Sequence, residues 1–476
     1  MEITEQAIRT IVEQVVGSIG TSPEGSAVAA LEGESQLGVF REMEGAIEAA
    51  GKAQLELGSM TLQKRREMIE SIRKTVCENL ESLSKMAVEE AALGKWEDKV
   101  IKNELAALKT PGVEDLEPYS YTDDYGLTLI ERAPFGVIGS ITPCTNPTET
   151  LICNGIGMIA GGNSVVFNPH PAAKKTSNHT IALMNQAVVK AGGPANLLCT
   201  ISEPTIESAQ ALMKHPKIQL LVVTGGPVVV KAAMNSGKKV IAAGPGNPPC
   251  VVDETADIAK AARDVVSGAS LDNNIVCSCE KEILAVDSVT NRLKEEMKSH
   301  GAYELNRSQI EAVTKMVIKD PGKPGHEGAP EKKWVGKDAS VIAGAIGLTI
   351  ASDTKLLLCE VDREHPLVWT EQLMPVLPIV RMGNADEAID FAIKCEHGFR
   401  HTASIHSRNI DKLSKMAKVM NCSIFVKNGP NYCGLGYRGA GYTSFTIASP
   451  TGEGLTRARN FTRERRCSLI GHFRIV

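Results

Sequence analysis

The sequence predicts an α/β protein with two three-layer domains, each a parallel sheet covered by helices on both faces, followed by a small β element. Three observations predict it. From about residue 136 to residue 249, short β-branched runs alternate with helical segments, the pattern of βαβ units around a sheet buried on both sides. A second alternating region runs from about residue 251 to residue 427. The chain has 476 residues, and single cores stop growing near about 250 to 300 residues, so separate lobes with a cleft between them are expected.

In chain order, residues 2–19 place Ile3, Ala7, Ile8, Ile11, Val12, Val15 and Ile19 on one helical face, opposite Glu2, Glu5, Arg9, Glu13 and Gln14. The Gly-, Ser- and Pro-containing stretch that follows loosens the chain. Residues 1–20 therefore read as a tethered amphipathic helix and 21–35 as its linker. The apolar stripe has two docking grounds open to it, the chain's own body or a partner. Residues 36–108 are helical and charged, with Met68, Ile69, Ile72, Val76 and Leu80 on one side.

Strand candidates of the first sheet are 137–141, 164–167, 220–224 and 240–242, with helices at 175–190 and 228–236. Those of the second are 282–286, 355–359, 376–380, 402–405 and 423–426. The Pro/Gly-rich stretch 320–330 reads as an exposed loop. The last segment, 434–476, ends in an alternating run at 468–476, a strand suited to joining another subunit or lobe.

Composition narrows the function. A net charge of −4 with 23% charged residues, and no basic stripe with interleaved aromatics, excludes a nucleic-acid surface. Twelve cysteines are scattered singly. Cys153, Cys250 and Cys359 lie in apolar runs, where free thiols are usually buried, which predicts a reducing cytoplasm. The closest pair, Cys277 and Cys279, has no histidine at ligand spacing, so no metal is expected. No apolar run reaches the roughly 18 residues that span a bilayer, and the N-terminus carries acids rather than a basic, then apolar, export signal. Neither membrane insertion nor secretion is predicted.

Four places could carry chemistry. The run Gly155-Ile156-Gly157-Met158-Ile159-Ala160 fits a dinucleotide fingerprint in form, but it lies inside one apolar helical stretch rather than in the tight turn after a strand, so packing is the expected role of its glycines. The better phosphate site is Thr224-Gly225-Gly226-Pro227, where a strand feeds a glycine pair and a proline suited to the first helical turn. Asp272-Asn273-Asn274 leads into Cys277 in a polar turn that could present a thiol, which must be partly exposed and held as thiolate to react. His365, His397, His401 and His406 complete the set, each reading first as a hydrogen-bonded structural group.

Together these residues resemble the CoA-acylating branch of the aldehyde dehydrogenase superfamily, in particular the propionaldehyde and acetaldehyde dehydrogenases of bacterial microcompartments. The resemblance is carried along nearly the whole chain by Ile141-Thr142-Pro143-Cys144-Thr145-Asn146-Pro147-Thr148, Asn168-Pro169-His170-Pro171, Val223-Thr224-Gly225-Gly226-Pro227, Ala243-Gly244-Pro245-Gly246-Asn247-Pro248-Pro249, Asp272-Asn273-Asn274 with Cys277, Arg400-His401-Thr402-Ala403, and Thr443-Ser444-Phe445-Thr446-Ile447-Ala448 with Pro450-Thr451-Gly452-Glu453-Gly454. It departs at Ile275-Val276, where the family usually has Leu-Pro, and at the extra thiol Cys279.

The resemblance implies an aldehyde dehydrogenase-like fold of two Rossmann-type domains, 36–250 binding NAD and CoA and 251–433 catalytic. An oligomerisation element would be built from 121–134 and 434–476, giving a homodimer or homotetramer. It implies that Cys277 attacks a short aliphatic aldehyde, with its own backbone amide and the side chain of Asn146, or Thr145 in that place, holding the oxyanion. Thr224, Gly225, Gly226 and Gly244 would line the cofactor phosphates, Asn168 and His170 the adenosine end, and Glu371 the nicotinamide ribose. His401 would handle the CoA thiol proton. Hydrolytic relatives open a Glu-Leu-Gly-Gly-Lys motif with a water-activating glutamate where this chain has Ala242, so acyl transfer to CoA is expected rather than release of free acid. The alternatives are a hydrolytic aldehyde dehydrogenase and a non-catalytic, shell-associated scaffold. The resemblance also assigns residues 1–20 to docking on microcompartment shell proteins.

Overall fold

In the computed structural model, residues 37–476 are described; the predicted helix 1–20 and linker 21–35 lie outside them. Strands β1 (Val39–Phe40), β2 (Tyr119–Asp123) and β3 (Gly126–Pro134) precede the first wholly buried run, β4 (Val137–Thr142). After it come β5 (Ser164–Pro169), β6 (Leu198–Ile201), β7 (Ile218–Thr224) and β8 (Lys239–Ala243), separated by helices. These form a parallel sheet in the order β1-β6-β5-β4-β7-β8. The chain moves outward from β4 to β6 and then returns to β7 on the other side of β4. That reversal opens a crevice at the carboxyl ends of β4 and β7, where doubly wound sheets bind ligands.

A second parallel sheet follows, of β9 (Pro249–Val252), β10 (Glu282–Val286), β11 (Ala302–Glu304), β14 (Leu356–Glu360), β15 (Val376–Met382), β16 (Thr402–His406) and β17 (Ile424–Lys427). Its order is β11-β14-β15-β10-β9-β16-β17. Because the short linker 244–248 runs from the end of β8 to the start of β9, the carboxyl edge of the first sheet is continuous with the amino edge of the second. Each strand predicted for the two sheets overlaps an observed one, with Lys355 and Ser423 lying one residue outside β14 and β17. The short strands β1, β6, β9 and β11 carry too few residues to show a period and were not predicted.

The helix Pro147–Ala160 is buried at every position. A Cβ at Gly155 would come within 2.7 Å of Met184 Cε, and one at Gly157 within 2.9 Å of the Phe461 ring, so both glycines serve close packing, as their place in the helix predicts.

Two expectations are refined. Residues 320–326 are exposed apart from Gly322, as an exposed loop would be, but residues 320–330 are held at both ends. They close a hairpin between β12 (Ile318–Asp320) and β13 (Ala329–Pro330), and the Gly328 amide donates to Trp369 O at 3.1 Å. A Cβ at Gly322 would lie 2.4 Å from that carbonyl, and one at Gly328 2.1 Å from Thr370 Oγ1. Gly322 and Gly328 thus serve close approach to the segment before Glu371. The terminal strand, β20 (Thr462–Ile470), starts six residues earlier than predicted and pairs antiparallel with β3 of the same chain along its whole length. Its Arg-Glu-Arg-Arg opening carries no apolar alternation, because nearly all of it is exposed. With β2 it makes the three-stranded sheet β2-β3-β20; β18 (Ile447–Ala448) and β19 (Gly454–Leu455) form a separate short pair.

Candidate active site

The thiol loop begins where the helix Ile258–Ser270 ends. Asp272, Asn273 and Asn274 all take left-handed backbone conformations, with φ of 49°, 52° and 64°. Asp and Asn visit this region more readily than other side-chain-bearing residues, but three in succession persist only if their surroundings over-determine them. They do. Asp272 accepts from the Lys95 amide at 2.7 Å and lies 2.9 Å from Lys99 Nζ and 2.6 Å from Lys102 Nζ. Asn273 donates to Gly336 O and Asp338 Oδ1, and Asn274 to Ala269 O and Glu280 O. Lys281, fully buried, donates to Asn274 O at 2.7 Å and to Asn274 Oδ1 at 2.5 Å.

This scaffold presents Cys277 half-buried. The expected thiolate is not the resting form. Burial, reinforced by the Glu371 charge, pushes the thiol up to about 12, while Lys281 and Lys102 act only partly against it. Glu371 itself is pushed up to about 7 by burial, and it accepts from the Gly246 amide at 3.4 Å. Gly246 is the hinge of the cluster: a Cβ there would lie 2.9 Å from both Cys277 O and the His401 ring. His401 is fully buried, and burial holds it down to about 3, so its ring is neutral. Its Nδ1 meets Thr402 Oγ1 at 2.8 Å, and its Nε2 has no partner among the described residues. Cys279 is buried against Leu271 O and is no second nucleophile in this arrangement. His365 and His397 bond backbone atoms of Leu367 and Trp369, as structural groups do.

The other predicted residues line the carboxyl edge of the first sheet. Thr145 and Asn146 follow β4, Asn168 and His170 sit at the end of β5, and Thr224, Gly225 and Gly226 close β7. Gly244 follows β8 against Pro450. Thr224 Oγ1 meets Thr446 Oγ1 at 2.9 Å, and Asn168 accepts from Ser208 at 2.6 Å. Gly226 caps the helix Pro227–Met234 with open space where a Cβ would stand, room for an anion to reach the turn. The sheet ends thus gather the dinucleotide candidates on one edge, and the linker carries that edge to Cys277, Glu371 and His401.

A family model described as the aldehyde dehydrogenase family matches residues 33–320. This chain belongs to the aldehyde dehydrogenase family. It is 51% identical to an acetaldehyde dehydrogenase (acetylating) of Salmonella typhimurium over 93% of this chain and 94% of that one. A propionaldehyde dehydrogenase of Rhodopseudomonas palustris, solved with bound CoA and an acylated cysteine, superposes with a TM-score of 0.88 at 49% identity, covering 91% of this chain and 98% of that one. A propionaldehyde dehydrogenase from the fucose utilisation microcompartment of Clostridium phytofermentans gives 0.89 at 48%, covering 92% and 100%.

Within this aldehyde dehydrogenase, Ala242 is buried in β8 and its amide donates to Thr451 Oγ1 at 3.0 Å. No carboxylate stands at that position. Sequence reasoning gave no role to Lys99, Lys102, Glu149 or Lys281, which are all buried. Lys99, Lys102 and Glu149 stand on helices, where such side chains read as solvent-facing, and the lysines' partners Asn146 and Asp272, 44 and 173 residues away in the chain, reveal otherwise; Lys281 lies just before β10 and turns back to Asn274.

Proposed function

We propose that this chain oxidises a short aliphatic aldehyde, propionaldehyde or acetaldehyde, with NAD+ and CoA to an acyl-CoA and NADH. The observation that carries this reading is the pairing of a Cys277 nucleophile with Ala242, where a water-activating carboxylate would stand. Cys277 gives its thiol proton to the Glu371 carboxylate, whose charge acts on it, its Sγ bonds to the carbonyl carbon, and the Cys277 backbone amide and the Asn146 side chain receive the oxyanion. Bound NAD+ would supply the acceptor for the hydride, and Cys277 would then carry a thioester. Thr224, Gly225, Gly226 and Gly244 face the cofactor phosphates, Asn168 and His170 the adenosine end, and Glu371 the nicotinamide ribose. The thioester persists until the CoA thiol bonds to its carbonyl carbon and the Cys277 thiol leaves. His401, with its Nε2 free, handles the proton that the CoA thiol gives up. The 36–250 segment serves as the cofactor domain and 251–433 as the catalytic one. Subunits pair through 121–134 and the terminal strand, whose neighbours Tyr121, Tyr125, Ile470 and Phe473 are exposed.

The test is NADH formation from propionaldehyde and NAD+ with and without CoA. Steady turnover is expected only with CoA. Equal turnover without it would make the enzyme hydrolytic and pass the base role to Glu371, the buried carboxylate whose charge acts on Cys277. Relatives of known microcompartment origin support placing the enzyme inside a protein shell, directed there by residues 1–20. A chain lacking those residues is expected to stay active but no longer co-purify with shells; retained co-purification would reject the assignment.

A further inference from the structure

We infer that Lys102 is a positioning residue for aldehyde attack, its buried ammonium group fixing which end of the Asn146 amide meets the reacting oxygen. The inference rests on the oxyanion role proposed for Asn146. Lys102 projects from the helix Trp96–Lys109 and is 2% exposed. Its Nζ donates to Asn146 Oδ1 at 2.6 Å and lies 2.9 Å from Glu149 Oε1 and 2.6 Å from Asp272 Oδ2. An ammonium has three protons and no acceptor, and it sits among these three oxygens, hydrogen-bonded to Asn146 and ion-paired to the two carboxylates. The end of Asn146 that faces it must therefore be the oxygen.

A carboxamide is nearly symmetric in shape, and its two orientations are distinguished only by their partners. Lys102 supplies the partner that decides. The Asn146 NH2 is left on the far side, where its one acceptor among the described residues is Thr145 Oγ1 at 3.4 Å. At least one N–H thus remains for the oxyanion, preorganised before substrate arrives.

Neutralising Asp272 does not by itself account for Lys102. Lys99 already stands 2.9 Å from Asp272 Oδ2. What Lys102 adds is the link to Asn146 and Glu149 at the start of the helix Pro147–Ala160. One buried charge thereby ties the amide donor itself to the left-handed run that aims Cys277, beside Lys99, which bridges Thr145 O and Asp272 but does not reach the Asn146 side chain.

The test measures the first burst of NADH from propionaldehyde and NAD+ for Lys102→Met, Lys102→Gln and Asn146→Ala, and for each Lys102 variant combined with Asn146→Ala. Loss of one oxyanion donor costs about 100- to 1000-fold in rate, so Lys102→Met is expected to slow the burst about 10- to 100-fold, with KM for NAD+ little changed. Added to Asn146→Ala it should cost little more, because the donor it orients is already gone. Lys102→Gln can offer Asn146 either a donor or an acceptor, and an intermediate loss is expected; it decides the matter if Lys102→Met does not fold. A loss of equal factor in both backgrounds, or one confined to KM, overturns the positioning role. A normal burst in Asn146→Ala instead removes the oxyanion reading on which it rests.

Discussion

Replacing Cys277 with alanine will remove NADH formation from aldehyde, with or without CoA. Loss of an activated nucleophile in comparable covalent enzymes costs on the order of a millionfold in kcat, which places the variant below detection in an ordinary spectrophotometric assay. The thiol is not needed for the fold: it packs half-buried at the edge of the first core cluster, so circular dichroism and melting temperature should match the parent. Activity within tenfold of the parent would mean that another group attacks the aldehyde. Cys279 would then be the first suspect, although its burial beside Leu271 argues against it.

The largest effect on stability is expected from Asp272→Asn. The substitution keeps size and shape but leaves Lys99 and Lys102 with Glu149 as their one ion-paired carboxylate among the described residues. Removing one partner of a buried ion pair costs about 3–5 kcal/mol, and here it also loosens three left-handed residues. Burial raises the Asp272 pKa, but the Lys102 and Lys99 charges outweigh it and hold the carboxyl below its ordinary value. A depressed carboxylate contributes stability above its unfolded pKa, about 3.9, and loses it as pH falls through the folded value. The gap in urea midpoint between parent and variant should be constant from neutral pH down to about pH 5 and close below pH 4. Equal midpoints at neutral pH would show that the network adds nothing net.

The fold was legible where the chain repeats a simple pattern. The long apolar strands β4, β5, β7 and β10 announce themselves through β-branched runs, and buried parallel strands need nothing more. β20 was misplaced because an exposed strand of arginines and glutamates has no buried face to encode. The site divides in the same way. Cys277, Glu371 and the Thr224-Gly226 turn stand in local motifs. The residues that fix them do not, since Lys102 meets Asn146, Glu149 and Asp272 only after both sheets have formed. The hairpin at 318–330 shows a third kind of gap: glycine composition reports a requirement for close approach as readily as one for freedom, and only the Trp369–Thr370 backbone lying against it tells which.

The protonated state of Cys277 bears on how the protein survives between turnovers. Peroxides and other oxidants attack thiolates far faster than thiols, and a thiol held up near 12 carries almost no thiolate at neutral pH. The arrangement that leaves the nucleophile idle without substrate also makes it a slow target for sulfenic acid formation. Glu371, with a pKa near 7, adds to that protection through its charge, but burial is the larger cause, so protonation of the carboxyl lowers the thiol only in part. An idle population is therefore a reserve that ages slowly, because the burial that raises the thiol does not depend on bound substrate.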